Sequence, residues 1–420
     1  MLALVSVLLT GFFAAAHATT INVTGTAPND WATIGNAITL NDGDILNIAA
    51  AAGSPGVSTQ IQIAANANVT INGSGAMITN LRIADDTSDT QEHAVNINNL
   101  QITSGASVGY GRRQGVLHLT GANAIAGASG YAGIYDTRGG VLTITSTSNG
   151  TLTASSDTSA GIRDMTALNI EGSAHVTASS STSQGILMGG AANAINVAVG
   201  ATLTATSSSS MAIYSVSGSL AITCDGGITA SGGSQGIYAS GQSVSITGNS
   251  TLTATGDTGI LADSLTVNQT TVNATGNGPG LNLGLSIFGA TNVALTDNAT
   301  LNLTGGTTSS AFGGPGFTLG AGSSVTLNNH LVLAESHPFT MGTAGGTWQL
   351  AGDAAFFAPS TAASSPATIS VAAGESGTIT LKAPPPSATA AAVPTLNPAA
   401  LAFMALALLG LACWGFKRRV

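Results

Sequence analysis

Residues 167–178, Ala-Leu-Asn-Ile-Glu-Gly-Ser-Ala-His-Val-Thr-Ala, carry the pattern that decides the fold of this chain. Apolar residues alternate with polar ones at Leu168 and Ile170, a short Glu-Gly-Ser turn follows, and the alternation resumes at Val176 and Ala178. A period of two places successive side chains on opposite faces of a β-strand. The stretch therefore predicts two short strands, each with one buried face, joined by a tight turn.

The same pair of strands recurs along the chain, and in the five complete copies the third apolar anchor follows the second by six positions. The four other complete copies have their anchors at Ile195, Val197, Leu203 and Ala205; Leu220, Ile222, Ile228 and Ala230; Val244, Ile246, Leu252 and Ala254; and Val293, Leu295, Leu301 and Leu303. Between copies lies a third segment, often Gly-Ile, as at Ile134, Ile162, Ile186, Ile237 and Ile260. Such regularity is typical of a repeat protein rather than of several independent domains.

Three short strands in a repeat of roughly 24 residues predict an all-β fold, a right-handed parallel β-helix in which each strand pairs with its equivalent in the next coil. A meander or sandwich is the alternative, but it requires hairpin pairs rather than one motif at this period. The less regular apolar residues from Ile34 to Ile83 predict capping coils at the N-terminal end. Between Thr20 and Leu381 we expect roughly fifteen coils and a rod about 70 Å long.

Composition supports a packed but weakly charged protein. Of the 420 residues only 6% are charged and 4% aromatic, while 44% are hydrophobic and 55 are glycine. The apolar content is sufficient for a core and argues against disorder. The net charge is −9, and three of the nine basic residues lie at the extreme C-terminus. A basic face for nucleic acid is therefore excluded.

The first eighteen residues predict a cleaved signal peptide. Residues 2–16 form an apolar run that ends in the triplet Ala16-His17-Ala18, and small residues at these two alanine positions suit signal peptidase. A membrane-anchoring helix is the alternative, but the run is short for a span and leads directly into strand-like sequence. We expect the mature chain, a β-helix body of residues 19–381, to begin at Thr19.

The last 39 residues predict a linker followed by a membrane helix. Residues 382–392 form a Pro/Ala-rich linker. The apolar stretch 399–416 is just long enough to cross a bilayer as a helix. The basic residues Lys417, Arg418 and Arg419 follow it and are expected to hold the C-terminus in the cytoplasm.

Residues 393–420 resemble the IPTL-type C-terminal sorting signal of Gram-negative bacteria. The residues Val393, Pro394, Thr395 and Leu396 match its motif with Val in place of the leading Ile, and the apolar span and basic end match its other two parts. The chain departs from the family where Asn397-Pro398 replaces the common Ser-Glu-Trp. The resemblance implies cleavage of the tail by an exosortase-family transpeptidase. It also implies a cell-envelope protein that is anchored in the inner membrane before sorting and is then displayed on the surface or released.

The body resembles the passenger regions of bacterial adhesins and the pectin-lyase-like superfamily, in its Gly/Ser/Thr/Asn-rich coil pattern and in no diagnostic motif. Polysaccharide-cleaving members of that superfamily concentrate charge on one face. The only acidic cluster here is Asp85, Asp86, Asp89, Glu92 and His93, and the only basic pair before the tail is Arg112-Arg113. These groups could form an acid/base or calcium site if neighbouring coils bring them together. The favoured interpretation is a solvated loop and a surface turn, so we predict no catalytic residue, metal site or cofactor.

Other chemically capable residues are expected to be structural. We predict that His118 and His175 are exposed strand residues and that Cys224 points into the core. Isolated aspartates are predicted at turns, where they bond locally: Asp136, Asp164, Asp257 and Asp263.

Equivalent polar and aromatic positions should align on the surface. Tyr135, Tyr214 and Tyr238 occupy one position of the repeat and could line one face, while stacked Thr and Asn rows could hydrogen-bond glycans or matrix components. We therefore predict a non-catalytic, adhesin-like surface or matrix rod, with extracellular polysaccharide as a candidate ligand. The alternative is a β-helix polysaccharide lyase or hydrolase.

Overall fold

The body of the protein is an all-β parallel solenoid. The computed structural model describes residues 18–85, 94–104, 110–112, 115–136, 140–278, 283–289, 291, 293–306, 311–313, 316–320, 322–328, 339–341, 348–351, 367–371 and 377–381. Within these residues the strands form three parallel stacks, which we call sheets 1, 2 and 3. The predicted parallel β-helix is thereby confirmed as a parallel solenoid.

After the first two coils, each coil contributes one strand, or one part of a long strand, to each sheet, in the chain order 1, 2, 3. Sheet 1 consists of Ala37–Leu40, Thr59–Ile63, Leu81–Asp85, Tyr110–Arg112, Ile134–Asp136, Ile162–Met165, Ile186–Met188, Ile213–Ser215, the first parts of Gln235–Thr247 and Thr258–Asn268, Leu285–Ile287 and Phe312–Gly313. Sheet 2 consists of Thr20–Val23, Ile45–Ile48, Val69–Asn72, Ala94–Asn98, Gly115–Thr120, Val141–Ser146, Ala167–Gly172, Ala192–Val197, Ser219–Cys224, the second parts of the same two long strands, Val293–Thr296 and Gly316–Leu319. Sheet 3 consists of Met77–Thr79, Gln101–Ser104, Ala122–Ala126, Thr151–Ser156, His175–Ser180, Thr202–Ser207, Gly227–Gly232, Thr251–Gly256, Thr271–Gly276, Thr300–Thr304 and Ser324–Asn328.

The solenoid has about eleven turns, so the expected fifteen coils were too many. The estimate assumed that coils continue to Leu381. Instead, Gly377–Leu381 and Ala367–Val371 pair antiparallel with the last strands of sheets 2 and 3. Two further strands, Phe339–Met341 and Trp348–Ala351, pair antiparallel with these. Eleven coils at about 4.8 Å each give a parallel stack about 50 Å long.

The core is built from the anchors that the alternation predicted. Every anchor in the five complete copies is at most 2% exposed, and the isoleucines of the Gly-Ile segments are 0% exposed. In the N-terminal coils Ile34 is partly buried against the core. The strand anchors there are buried: Ile38, Leu40, Leu46, Ile48, Ile61, Ile63, Val69, Ile71, Ile78, Leu81 and Ile83. One apolar column therefore runs along the axis, enclosed by the three sheets.

The N-terminal coils contain two short helical turns that the sequence pattern did not predict. A one-turn α-helix, Trp31–Ile34, and a 3-10 turn, Ala50–Ala52, stand where later coils have a sheet 3 strand. Asp30 caps the first turn by accepting a bond from the Thr33 backbone N–H at 2.7 Å. Hydrogen bonds from the side chain and then from the backbone of Thr33 lower the pKa of the Asp30 carboxyl. Trp31 is 5% exposed, and its Nε1 donates to the carbonyl of Gly53 at 2.9 Å. One helical turn is too short to show a 3.6-residue period.

Both predicted terminal helices lie outside the described residues. The apolar run 2–16 with Ala16, the linker 382–392, the motif Val393–Leu396 and the basic end after residue 416 all fall there, and these assignments stay predictions. Ala18 is described and is exposed. Within the described ranges, no helix has the length and apolar character needed to cross a membrane.

Candidate binding surfaces

The outer surface of each sheet consists of rows of equivalent side chains. Alternate residues of a strand point away from the core, and each strand pairs in parallel with its equivalent one coil later. A given outward position therefore recurs about every 4.8 Å along the axis. Whatever residue type the repeat places there becomes a continuous row.

Sheet 1 carries a row that is partly aromatic, which we call the tyrosine row. It comprises Tyr135, Arg163, Leu187, Tyr214 and Tyr238 on five successive coils, all paired in register and all half-buried. The rings of Tyr214 and Tyr238 meet edge to face with centroids 5.3 Å apart. The prediction that the three tyrosines of this repeat position share one face is confirmed.

A cation lies within the tyrosine row. The Cζ of Arg163 lies 5.5 Å from the ring centroid of Tyr135, a cation–π contact. Its Nε also lies 3.2 Å from the Oδ2 of Asp164, and 43% of the arginine side chain is exposed. The contact with Asp164 uses one of the five donors that a guanidinium carries. The row thus combines aromatic surfaces with a group that can hydrogen-bond a carboxylate.

Sheet 2 carries ladders of asparagine. Asn47 donates from Nδ2 to the Oδ1 of Asn22 at 2.8 Å, and Asn72 donates to Asn47 at the same distance. A second ladder joins Asn196 to Asn169, also at 2.8 Å. Shallow cavities of about 290 and 170 Å³ lie along these two ladders. Each amide satisfies its neighbour, so the ladders stabilise the stack and leave fewer donors for a ligand.

Sheet 3 presents three adjacent rows dominated by threonine, which we call the threonine array. From the strand Thr151–Ser156 to the strand Thr300–Thr304, the register between neighbouring strands has no shift. The three rows are Thr151, His175, Thr202, Gly227, Thr251, Thr271 and Thr300; Thr153, Thr177, Thr204, Thr229, Thr253, Asn273 and Asn302; and Ser155, Ser179, Thr206, Ser231, Thr255, Thr275 and Thr304. All of these residues are half-buried or exposed.

Most of the acidic cluster and one residue of the basic pair, which together were considered as a catalytic or calcium site, lie outside the described residues. These are Asp86, Asp89, Glu92 and His93 of the cluster and Arg113 of the pair. The backbones of Asp85 and Arg112 end two neighbouring strands of sheet 1, and Arg112 is level with Asp136 on the next coil. These three residues thus stand on successive coils at one corner.

Asp136 differs from its prediction as a turn residue with local bonds. It ends the strand Ile134–Asp136 and is 0% exposed. The backbone N–H of Gly140 donates to its Oδ2 at 2.6 Å. The local bond is present, but a fully buried carboxyl at the end of a strand supports the corner of the coil and is closed to a polysaccharide.

Two other aspartates were also predicted at turns and stand within strands. Asp164 lies in the strand Ile162–Met165 at a bulge, with a left-handed φ of 62°. Asp263 lies half-buried inside the long strand Thr258–Asn268. Asp257 is exposed between two strands, as predicted. Bulges place an extra residue in a strand, and alternation alone does not locate them.

Both histidines occupy the outward positions of their strands, as the alternation indicated, but they are half-buried rather than exposed. The Nδ1 of His175 lies 2.8 Å from the Oγ1 of Thr202, its neighbour in the threonine array. Residues of adjacent coils cover part of each outward side chain. The sequence pattern of a single strand does not predict this part of the burial.

Cys224 points into the core as predicted. It is 0% exposed, and its Sγ donates to the carbonyl of Gly226 at 3.0 Å. Burial raises the pKa of this thiol to about 11, so it is protonated at neutral pH and is a poor nucleophile.

Among the described residues no group of three or more His, Cys, Asp or Glu side chains is placed to hold a metal ion. Comparisons with protein families, with curated proteins and with solved structures find no match for this chain. The functional argument therefore rests on the three surfaces themselves.

Proposed function

We propose that this chain is an exported, non-catalytic, adhesin-like rod that binds extracellular polysaccharide and is sorted to the cell envelope by an exosortase. The observation that carries the binding proposal is the tyrosine row of sheet 1. Parallel-solenoid architecture suits both adhesins and proteins that act on polysaccharides, so the surface has to distinguish them.

The tyrosine row suits a chain that runs along the rod axis. Its positions repeat about every 4.8 Å, which is comparable with the length of one sugar residue in an extended glycan. Aromatic rings such as Tyr214 and Tyr238 offer apolar faces to the C–H surfaces of sugars. Arg163 adds a planar donor for a carboxylated sugar. We expect an acidic, extended polysaccharide to bind best.

A lyase or hydrolase would need at least two titratable groups at one subsite. The residues weighed for that role are Asp85, Asp86, Asp89 and Arg112 or Arg113, and the nearby Asp136 is fully buried. Arg163 of the tyrosine row contacts its neighbour Asp164. Besides these two groups, the row offers no pair that could serve as a general acid and a general base. Binding without cleavage is the simpler use of such a row.

The test incubates the purified protein with a panel of neutral and acidic polysaccharides and scores retention and release of reducing ends. We expect retention of an acidic polysaccharide without release. The double variant Tyr214→Ala/Tyr238→Ala should lose retention, whereas Tyr131→Ala should keep it, because Tyr131 is 50% exposed and lies outside the row. Release that disappears in Asp85→Ala/Asp86→Ala would contradict the proposal and establish the enzyme alternative.

Sorting is tested separately in cells that contain an exosortase. Replacing Val393, Pro394, Thr395 and Leu396 by alanine should leave an unprocessed form in the inner membrane. A variant that still loses its tail and reaches the envelope would show that these residues are not the signal. An N-terminus that begins at Met1 in the mature protein would likewise refute removal of residues 1–18.

A further inference from the structure

We propose that the threonine array of sheet 3 binds ice. The array is a second surface, opposite in character to the tyrosine row, and the polysaccharide proposal does not use it. Fourteen of its twenty-one positions are threonine and three are serine. The inference therefore concerns what a regular sheet of hydroxyl and methyl groups recognises.

The threonine array is periodic in two directions. Neighbouring coils separate the hydroxyls by about 4.8 Å, and alternate residues of one strand separate the rows by about 6.7 Å. Both distances are close to repeats of the oxygen positions on faces of hexagonal ice. Since the register of Thr204, Thr229 and Thr253 is unbroken, the match extends over several coils instead of one site.

The charge of the threonine array differs from that of the whole chain. The chain carries a net charge of −9, yet none of the twenty-one positions is Asp, Glu, Lys or Arg. A charged side chain would hold its own hydration shell and disturb an ordered water layer. Threonine instead offers a hydroxyl that joins the water network and a methyl group around which water orders. The array is thus complementary to a neutral, ordered water surface.

The area of the threonine array is too small for a second copy of this chain to be its occupant. The array measures roughly 29 Å by 13 Å, or about 400 Å². Stable protein–protein interfaces bury about 800 Å² per partner. The array also has no aromatic residue, and aromatic residues anchor most such interfaces. A lattice that extends beyond the array, such as ice, can use every row without needing a larger patch.

The repetition of similar side chains on this sheet favours ice over a glycan. Sites for single ligands are concave and use a few groups placed for one orientation. The threonine array repeats one short hydroxyl-bearing side chain at most of its positions, instead of placing a few different groups around one sugar. A repeating ligand with the same periodicity in two directions fits it better.

The experiment measures how much of the purified full-length protein is incorporated into a slowly grown ice surface, relative to an excluded reference protein, together with thermal hysteresis. Wild-type protein should be enriched several-fold in ice. Thr229→Tyr, in the middle row at an exposed position, should reduce incorporation to the reference level. Thr266→Tyr is the matched control, because Thr266 is equally an exposed outward threonine but belongs to sheet 2, and it should match wild type.

Circular dichroism verifies that each variant folds, and Thr229→Lys replaces Thr229→Tyr if the latter does not. Wild-type protein excluded from ice would overturn the proposal, as would equal incorporation of all variants. Loss of polysaccharide retention in Thr229→Tyr without any ice incorporation would also overturn it and make a glycan the ligand of sheet 3. Failure of the tyrosine-row variants leaves this test unaffected, so the two proposals fail independently.

Discussion

The N-terminal coils and the central coils share one repeat but differ in the element that stands at the sheet 3 position. Central coils, from Val141 to Gly276, meet an equivalent coil on both sides and contribute a strand, or part of a long strand, to each of the three sheets. The first two coils are the outermost of the described coils, and there a helical turn and a 3-10 turn replace the sheet 3 strand. A terminal coil must cover its exposed edge, whereas a central coil needs only to match its neighbours.

The two regions also fill their cores differently. On sheet 3 of the central coils, a large anchor such as Leu203 is followed by a small one such as Ala205, and the alanines of this row are 0% exposed. At the N-terminal end Trp31 occupies the corresponding part of the coil. A repeated small residue makes each coil the same size, while one large ring fills the outermost of the described coils at the N-terminal end.

The largest effect is expected from a charge in the central core. Ile222 is 1% exposed and lies level with Ile195 and Ile246 on the two adjacent coils. Ile222→Asp buries a carboxyl without a partner, and we expect a loss above about 4 kcal/mol in the free energy of unfolding. Thermal and urea unfolding followed by circular dichroism measure it.

The matched control is Thr223→Asp, one residue further on the outward face of the same strand. It should change the free energy of unfolding by about 0.5 kcal/mol at most. Equal losses at the two positions would contradict the inward and outward assignment of this strand.

A smaller and more local effect is expected at the N-terminal end. Trp31→Ala removes a buried ring and its bond to Gly53, which should cost about 3–5 kcal/mol in the free energy of opening the first coils. Hydrogen exchange should show lost protection near Trp31 and near-normal protection in the central coils. Val57→Ala, at a position 55% exposed, is the control. Protection lost evenly along the whole rod would contradict a capping role.

The smallest effect is expected in the central coils, where the free energy of unfolding should fall at high pH. The pKa of Cys224 is raised from 9.0 to about 11 by burial, so the folded state disfavours the thiolate that the unfolded state forms. The stability contribution is complete below pH 9 and is lost between about pH 9 and pH 11, at most about 3 kcal/mol in total. Cys224→Ala should lack this component in urea unfolding at pH 8 and pH 11. Parallel losses in both proteins would contradict it.

Alternation predicts the burial of apolar residues well in this chain, because their burial depends on which face of their own strand they occupy. The anchors of the five complete copies and Cys224 were predicted for that reason. The half-burial of His118 and His175 depends on the neighbouring coils and did not follow from it. The buried corner at Asp136 likewise depends on how the chain turns between two sheets.

The sequence predicted that equivalent residues would form surface rows, but it did not predict which threonines belong to one row. The shared position of Tyr135, Tyr214 and Tyr238 in the repeat was visible because each follows an isoleucine anchor. The asparagine ladders have a similar signal, an Asn between two anchors, as at Asn169 and Asn196. Coils vary in length, however, so only the register of the folded chain shows which threonines form one array.

In-register stacking of equivalent strands creates the threonine array on sheet 3 and sets the period of the tyrosine row on sheet 1, and it is measured most directly on sheet 3. Spin labels at cysteine substitutions test it in a background that carries Cys224→Ala and Cys413→Ala. Pairing Thr153→Cys with Thr229→Cys, Thr253→Cys or Thr326→Cys should give label distances near 14, 19 and 34 Å, growing by about 4.8 Å per coil. Distances that fail to increase in this order, as in a sandwich whose strands return on themselves, would contradict the solenoid and both surfaces proposed on it.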